Sequence, residues 1–441
     1  MNFRKVTIIG GGIAGIAAAV FLSEKGYSVR IIENAPVLGG RVSSFLDREE
    51  NIYLDSGQHI FAGWYTNTFE LLKILKKENS LIKQKSLSIR LLSSQNEIYQ
   101  FKASDVPAPF NILSGFLGYN ALSFSGKIKT IRFLSFLKKK KTFKKYHDKN
   151  IDYLFKSAKL SDEVIKYFWE PMILAVFNTI PEYVSVENFR KVIQLSLQNR
   201  NYTSLVFPDE DLHSLFIKSF LEYADIKKAE LYLSKECKEI VISNSEVKRL
   251  KLRTGEEISS DYYVSAVPFF RFQNLFNQET FNTYFNNYRE LSPSAVISVY
   301  LYFDSNLREN IIPFSDDKML GVISKTIQWI FKIRPDIISI TISAADYIQK
   351  LTDKSSQEIF DICQKELCQL FNGFEKLKIK KYKVIKSRKA TFVPDVKSVS
   401  SRIPVQTKIK NLFMVGDWID TGLPSTIESA VTSAKILSKI I

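Results

Sequence analysis

Gly10, Gly12 and Gly15 stand in G-x-G-x-x-G spacing, and an acid, Glu33, follows in the same stretch. Residues of these types can hold a dinucleotide. The first glycine permits a tight turn, the second lets the backbone approach a pyrophosphate, and the third lets a helix pack closely on a strand. A helix beginning there presents free N–H groups and a partial positive charge to the phosphates. Glu33 can accept hydrogen bonds from a ribose diol. The surrounding elements must position these groups, and the sequence supplies them in order. Lys5 to Ile9 read as a short β-branched strand, an alanine-rich helix runs to about Lys25, Gly26 ends it, and Ser28 to Ile32 form a second strand.

A second unit of this kind lies at the far end of the chain. Leu412 to Val415 read as a buried strand, Gly416 and Asp417 as its loop, and a helix begins at Ser425 after Pro424. A nicotinamide dinucleotide alone has no need of it. A flavin dinucleotide does, because its ribityl chain and isoalloxazine extend beyond the first unit. Asp417 can accept from ribityl hydroxyls, and N–H groups at Thr426 to Glu428 can face the flavin N1–O2 edge. A helix N-terminus there stabilises negative charge on a reduced flavin.

The chain has 441 residues, 45% of them apolar, which is enough for two or three domains with sizeable cores. Uninterrupted apolar runs stay shorter than the roughly 18 residues of a spanning helix. Arg4 and Lys5 before an apolar stretch resemble a signal peptide, but the glycine turn and its strands already account for that stretch. Cys237, Cys363 and Cys368 give neither a disulfide framework nor a metal pattern, and only His59, His147 and His213 stand beside them. No metal site is expected, and a reducing cytosolic setting fits. The net charge of +16 is unaccompanied by any nucleic-acid motif, so no nucleic-acid partner is expected. An anionic membrane surface and a lysine-rich compositional bias both remain as explanations.

Along the chain, residues 66 to 86 read as helical and 87 to 104 as short strands. From Pro107 to about Leu197 the pattern is helical and apolar, with Ile112, Leu113, Phe116 and Leu117 at helical spacing. Ile128, Ile131, Phe133, Leu134 and Leu137 follow among Lys127, Lys129, Arg132 and the run Lys138 to Lys141. Such a composition suits the interface of a membrane, and equally a buried helix followed by a solvated lysine loop. Residues 229 to 268 alternate as a small β-meander. Residues 293 to 304 and 337 to 343 are further strands, and 355 to 372 a helix. The expected architecture is α/β: a discontinuous Rossmann-like domain from residues 1–86, 206–275 and 395–441, with a second, mixed α+β substrate domain from 87–205 and 276–394.

The GGGIAG turn, the LGGR loop at Leu38 to Arg41 and the GDW segment at Gly416 to Trp418 resemble those of the FAD-dependent amine oxidase and phytoene desaturase superfamily. LDSGQHIFAGWYTNT at 54–68, FWEPMILAVFNT at 168–179 and GDWIDTGLPSTIESAV at 416–431 most resemble the hydroxysqualene dehydroxylase family. The similarity runs over nearly the whole chain. It implies non-covalent FAD with Gly10, Gly12 and Gly15 at the pyrophosphate, Glu33 at the adenosine ribose, and Gly39, Gly40 and Arg41 flanking the phosphates. It further implies that the Cys237 backbone meets adenine, and that Gly416, Asp417 and Ile427 face the flavin. A buried small hydrophobe is the competing reading for Cys237. The chain carries Asp55-Ser56-Gly57 where the family commonly shows Asp-Asn-Gly, which keeps a small polar turn residue.

That family's expected reaction replaces an allylic hydroxyl by hydrogen, with NADPH as the electron donor. The hydroxyl must leave as water, which calls for a proton donor. The candidates are Glu170, Asp420, Glu428 and His59, each with a structural alternative as cap, loop former or hydrogen-bonded core residue. The resemblance implies a long C30 isoprenoid substrate; a substrate dissolved in a bilayer would suit docking of the apolar, lysine-flanked residues 108–145 on a membrane surface, expected at the inner face of the cytoplasmic membrane. A carotenoid desaturase using oxidised FAD is the nearest alternative. An amine oxidase and a non-catalytic isoprenoid binder of the same fold are more distant ones.

Overall fold

The computed structural model describes residues 4–288, 290–307, 311–323 and 325–441, without the side chains of positions 140, 142 and 143. Two sheets organise it. The first is parallel and five-stranded, in the order Glu230–Tyr232, Ser28–Ile32, Lys5–Ile9, Tyr262–Ser265, Leu412–Met414. Its strands come from distant parts of the chain, and helices cover it. Ile13–Glu24 and the terminal helix Ile427–Ile440 pack against each other, the first buried through Ala17, Ala18 and Ala19, whose small side chains permit close approach.

The second sheet has seven strands, in the order Ile379–Phe392, Pro293–Phe303, Ile337–Ser343, Trp329–Arg334, Met319–Val322, Ser88–Leu92, Ile98–Lys102. All its pairs are antiparallel except Met319–Val322 with Ser88–Leu92. Strand 337–343 reads IISITIS, and its period of two separates the faces. Ile338, Ile340 and Ile342 pack with Ile359, Cys363 and Leu367 of the helix Ser356–Leu370. Ser339, Thr341 and Ser343 lie on the other face, where Thr341 and Ser343 line a cavity shared with a layer of helices between residues 110 and 196. Phe133, Phe155, Trp169 and Phe189 hold that layer together, with Trp169 ring centroids 5.4 Å from Phe133 and 5.3 Å from Phe189.

Two expectations are corrected. The meander over 229–268 divides: only Cys237–Ser243, Glu246–Leu252 and Glu257–Ile258 form an antiparallel sheet. Its outer strands join the parallel sheet, where Tyr263 and Val264 are wholly buried, as strands covered on both faces require. The helix expected over 66–86 stops at Ile74, where Lys76 turns to φ +57°, and Leu81–Lys83 pairs with Leu205–Pro208 instead. In the 108–145 region, Ile112, Phe116, Phe133, Leu134 and Leu137 are buried, whereas Phe110, Leu117 and Phe124 are exposed. The side chain of position 140 within the lysine run lies outside the described residues. Among the described residues, no helix is long and apolar enough to cross a membrane, and no cluster suits a metal ion.

Candidate active site

The glycine turn is built as its spacing requires. A Cβ on Gly15 would lie 2.0 Å from the Gly10 carbonyl oxygen, so only glycine lets this helix start so close to its strand. Gly10 itself has φ +105°. The helix begins at Gly12 with no side-chain cap and no acid in its first turn, which leaves its N-terminus suited to an anion. Gly39 donates its N–H to the Gly11 carbonyl at 2.9 Å, closing the LGGR loop over the turn. This open-ended helix and glycine cradle fit a dinucleotide pyrophosphate.

Glu33 is already engaged. Its carboxylate accepts from the N–H groups of Gly11 and Ala35, both at 2.7 Å, so it braces the turn. A carboxylate has about four acceptor sites, which leaves room for the diol. The chain after strand 230–232 passes beside it, with Lys235 N–H donating to the Glu33 carbonyl at 2.9 Å. Cys237 follows, buried, and burial pushes its thiol up to about 12, so it behaves as a neutral apolar group.

Arg41 and Asp417 form a bidentate ion pair, one contact being Nη1 to Oδ2 at 2.9 Å, and Ser425 donates to the same carboxylate. Burial alone would raise the Asp417 pKa, but the Arg41 guanidinium holds it below the ordinary carboxylate range. The expected phosphate-flanking arginine and ribityl-facing acid therefore meet each other, tying the LGGR loop to the terminal segment. Arg402, which sequence reasoning missed, supports that segment from behind. It is buried and donates to the carbonyls of Leu423 at 2.7 Å, Trp418 at 3.2 Å and Asp417 at 3.4 Å. Burial lowers its pKa to about 10, leaving it cationic at neutral pH. The carbonyls it binds carry no residue signature, which is why a motif scan passes over it.

A cavity of about 630 Å³ opens from this corner toward the second sheet. Gly40, Arg41, Asp417 and Ile427 line one end, Phe116, Met172 and Val176 line a helical wall, and Phe101 of strand Ile98–Lys102 packs on Phe116 beside it. Lys389 and Ala390, adjacent in sequence, both line it. The register slips between the Ser294–Thr391 and Val296–Ser387 pairs, and this bulge turns neighbouring residues to the same side. Lys389 was also missed. Its ammonium lies 4.6 Å from the Phe270 ring centroid, within cation–π range.

Of the four expected proton donors, only His59 faces this cavity. Burial lowers its pKa to about 4, so the imidazole is neutral near pH 7 and no ready acid. Glu170 is corrected. Phe168, Met172, Ala175 and Val176 share the cavity side of their helix, whereas Lys166, Glu170 and Leu174, four apart, line a separate pocket of about 630 Å³. There burial, together with Glu182, raises the Glu170 pKa. Glu428 is corrected too. Its buried carboxylate accepts from the N–H groups of Asn67 and Thr68 at 3.0 and 2.9 Å and from Thr68 Oγ1 at 2.7 Å. It caps the helix Thr66–Ile74, which has no cap from its own N-terminal residue. Asp420 is exposed and accepts from Gly422 N–H at 3.3 Å, so it shapes its own loop.

A discontinuous dinucleotide frame joined to a largely apolar cavity defines a flavin-dependent oxidoreductase. The chain belongs to the family of flavin-containing amine oxidoreductases, whose model matches residues 13–440. It is thus an enzyme, and the family implies FAD as cofactor. The chain is 25% identical to a 15-cis-phytoene desaturase of an Oncidium hybrid cultivar, over 99% of this chain and 77% of that one. It is equally 25% identical to a hydroxysqualene dehydroxylase of Zymomonas mobilis, over 97% of this chain and 96% of that one. In fold it is similar to an oxidoreductase from Methanosarcina mazei, with a TM-score of 0.74 at 15% identity, covering 99% of this chain and 100% of that one. A putrescine oxidase bound to putrescine aligns with a TM-score of 0.67 at 13% identity, covering 99% and 98%.

Proposed function

We propose that this enzyme acts on a C30 isoprenoid, reducing hydroxysqualene to squalene at the expense of an electron donor, NADPH. The observation that carries the reading is the cavity itself: one end is the dinucleotide corner at Arg41 and Asp417, and most of the remaining lining, from helices and sheet, is aromatic and aliphatic. FAD, when bound, supplies two-electron redox chemistry next to whatever the cavity holds. Gly10, Gly12 and Gly15 would hold its pyrophosphate, Glu33 its ribose, and Asp417 with Ile427 its flavin end. Phe101, Phe116 and Met172 exclude water from the substrate, which protects an allylic cation from capture. His59, neutral there, can hydrogen-bond a substrate oxygen, while Lys389 is the cation at the rim.

Substrate entry fits a membrane surface. Ile112 and Phe116 line the cavity, and Phe110 and Leu117 on the same helix are 64% and 62% exposed. Phe124, 75% exposed, begins the next helix, which presents Lys129, Arg132 and Lys138 to solvent. Exposed aromatics beside lysines suit docking on an anionic leaflet, with the apolar substrate passing directly into the cavity. We therefore assign the enzyme to the inner face of the cytoplasmic membrane. Desaturation of a phytoene-type polyene is the second reading, favoured by the equal identity to a phytoene desaturase. Offering the FAD-loaded enzyme hydroxysqualene with NADPH, and separately phytoene with an electron acceptor, decides between them. Squalene in the first extract supports the proposal, and desaturated polyene in the second alone would replace it.

A further inference from the structure

All seven strands of the second sheet contribute to the cavity. Ala390 lines it on the first strand, and Val296, Thr341, Phe331, Met319, Leu91 and Phe101 line it on the following strands in sheet order. The cavity is therefore a channel that runs across the strands, from the Arg41 corner to the edge of the sheet. Arg41 marks the first strand by donating to the Ala390 carbonyl at 3.0 Å. Neighbouring strands lie about 4.8 Å apart, so the channel is about 29 Å long, of which about 24 Å lies beyond the strand at the flavin corner.

At its far end the channel is shut. Leu91, Phe101, Phe116 and Tyr119 are all buried. Phe101 lines the channel from the edge strand Ile98–Lys102, and three rings surround it. The centroids of Phe116, Tyr119 and Phe168 lie 5.2, 5.8 and 5.6 Å from its own. Helix Phe110–Gly118 leaves room for the Phe101 ring at Gly115, where a Cβ would lie 2.5 Å from Phe101 Cζ. Tyr119 is itself tied down. Its hydroxyl donates at 2.7 Å to the Tyr167 carbonyl, which Pro171, one turn on, has no N–H to satisfy. A ring packed on all these sides does not yield to an extra length of chain. The exposed Phe110 stands at the other end of that helix from Phe116, so admission there leaves this closure in place.

We propose that Phe101 is the end stop of the channel and limits the chain it takes to about six isoprene units. This rests on the isoprenoid reading of the same cavity and adds the length that fits. An extended chain advances about 1.2 Å per bond, so six units span about 27 Å and eight units about 36 Å. The shorter chain fits beyond the flavin corner with a slight bend, and the longer one overruns that space by about 12 Å. Replacing the Phe101 ring by a methyl group opens about 5 Å, enough for one further unit, because packed surroundings relax only in part.

The test equilibrates FAD-loaded enzyme with detergent micelles holding equal amounts of squalene, a C35 isoprenoid hydrocarbon and phytoene. The protein is re-isolated, and the bound chains are measured by extraction and chromatography. The wild type should hold about tenfold more squalene than the C35 chain. Phe101→Ala should bring those two close to equality and leave phytoene disfavoured, with bound FAD unchanged. Phe101→Leu should move the same ratio part of the way, and it carries the comparison if the alanine variant fails to retain FAD. Gly115→Ala should act in the opposite sense, pressing the ring into the channel and lowering bound squalene about tenfold against a C25 chain. Equal binding of all three chains by the wild type, or a ratio unmoved by both Phe101 substitutions, overturns the proposal. A length limit that answers to Phe101, in an enzyme that makes no squalene from hydroxysqualene, would sink the reaction assigned above and leave the end stop standing. Squalene formation with an unmoved ratio would do the reverse.

Discussion

The dinucleotide corner and the substrate cavity differ in what holds them in shape. The corner is fixed by backbone: glycines where a Cβ has no room, carbonyls gathered by Arg402, and N–H groups gathered by Glu33 and Glu428. The cavity is fixed by side-chain packing between a helical layer and one sheet face. Backbone requirements tolerate few residue types and recur in related chains with different substrates. Packed walls can change residue by residue while the fold persists. This difference accounts for a chain equally similar to a desaturase and a dehydroxylase.

The sharpest way to break the comparison is to damage the corner alone. Gly15→Val places carbon where the Gly10 carbonyl already sits, and overpacking of this kind costs about 3 kcal/mol or more. The purified variant should lack flavin absorbance altogether. Yellow protein of normal stability would show that the turn is looser than described. Arg402→Met should come next, with a loss of about 3 kcal/mol in urea unfolding, because buried carbonyls of residues 417–423 lose a charged donor. An unchanged midpoint would remove Arg402 from the account.

Asp55 lies where the two regions meet: Tyr300 of the second sheet donates to its carbonyl at 2.7 Å. Burial raises its carboxyl pKa to about 6, with Asp211 adding and hydrogen bonds from Ser44 and Leu212 opposing. The folded state therefore holds this proton more tightly than the unfolded chain, whose aspartates titrate near 3.9. Its contribution to stability should fall as pH rises from about 4 to about 6, by up to about 2–3 kcal/mol. Asp55→Asn should remove that part of the pH dependence in denaturant titrations, and an identical profile would contradict the assignment. The smallest effect concerns the exposed start of helix Phe124–Lys138. Phe124→Ser should weaken co-sedimentation with anionic vesicles about tenfold while leaving the melting temperature unchanged. Equal binding by variant and wild type would leave the exposed aromatics without that role.

What was legible in the sequence follows the same division. The glycine turn, the LGGR loop and the terminal strand–loop–helix are local patterns with local causes, and they could be read at once. Strand 262–265 was legible as a strand, but its partners, residues 5–9 and 412–414, are set by tertiary pairing. Residue type near a motif points to Glu170 and Glu428, whereas helical phase sends one into another pocket and a neighbouring helix end claims the other. Lys389 enters the cavity through a bulge, and Thr341 through strand register, and neither leaves a signature in composition or spacing.

The most direct measurement reduces the bound flavin in the absence of oxygen and adds hydroxysqualene without further reductant. The account predicts that flavin absorbance returns in step with an equal amount of squalene in the extract. A flavin that stays reduced with hydroxysqualene intact would contradict it.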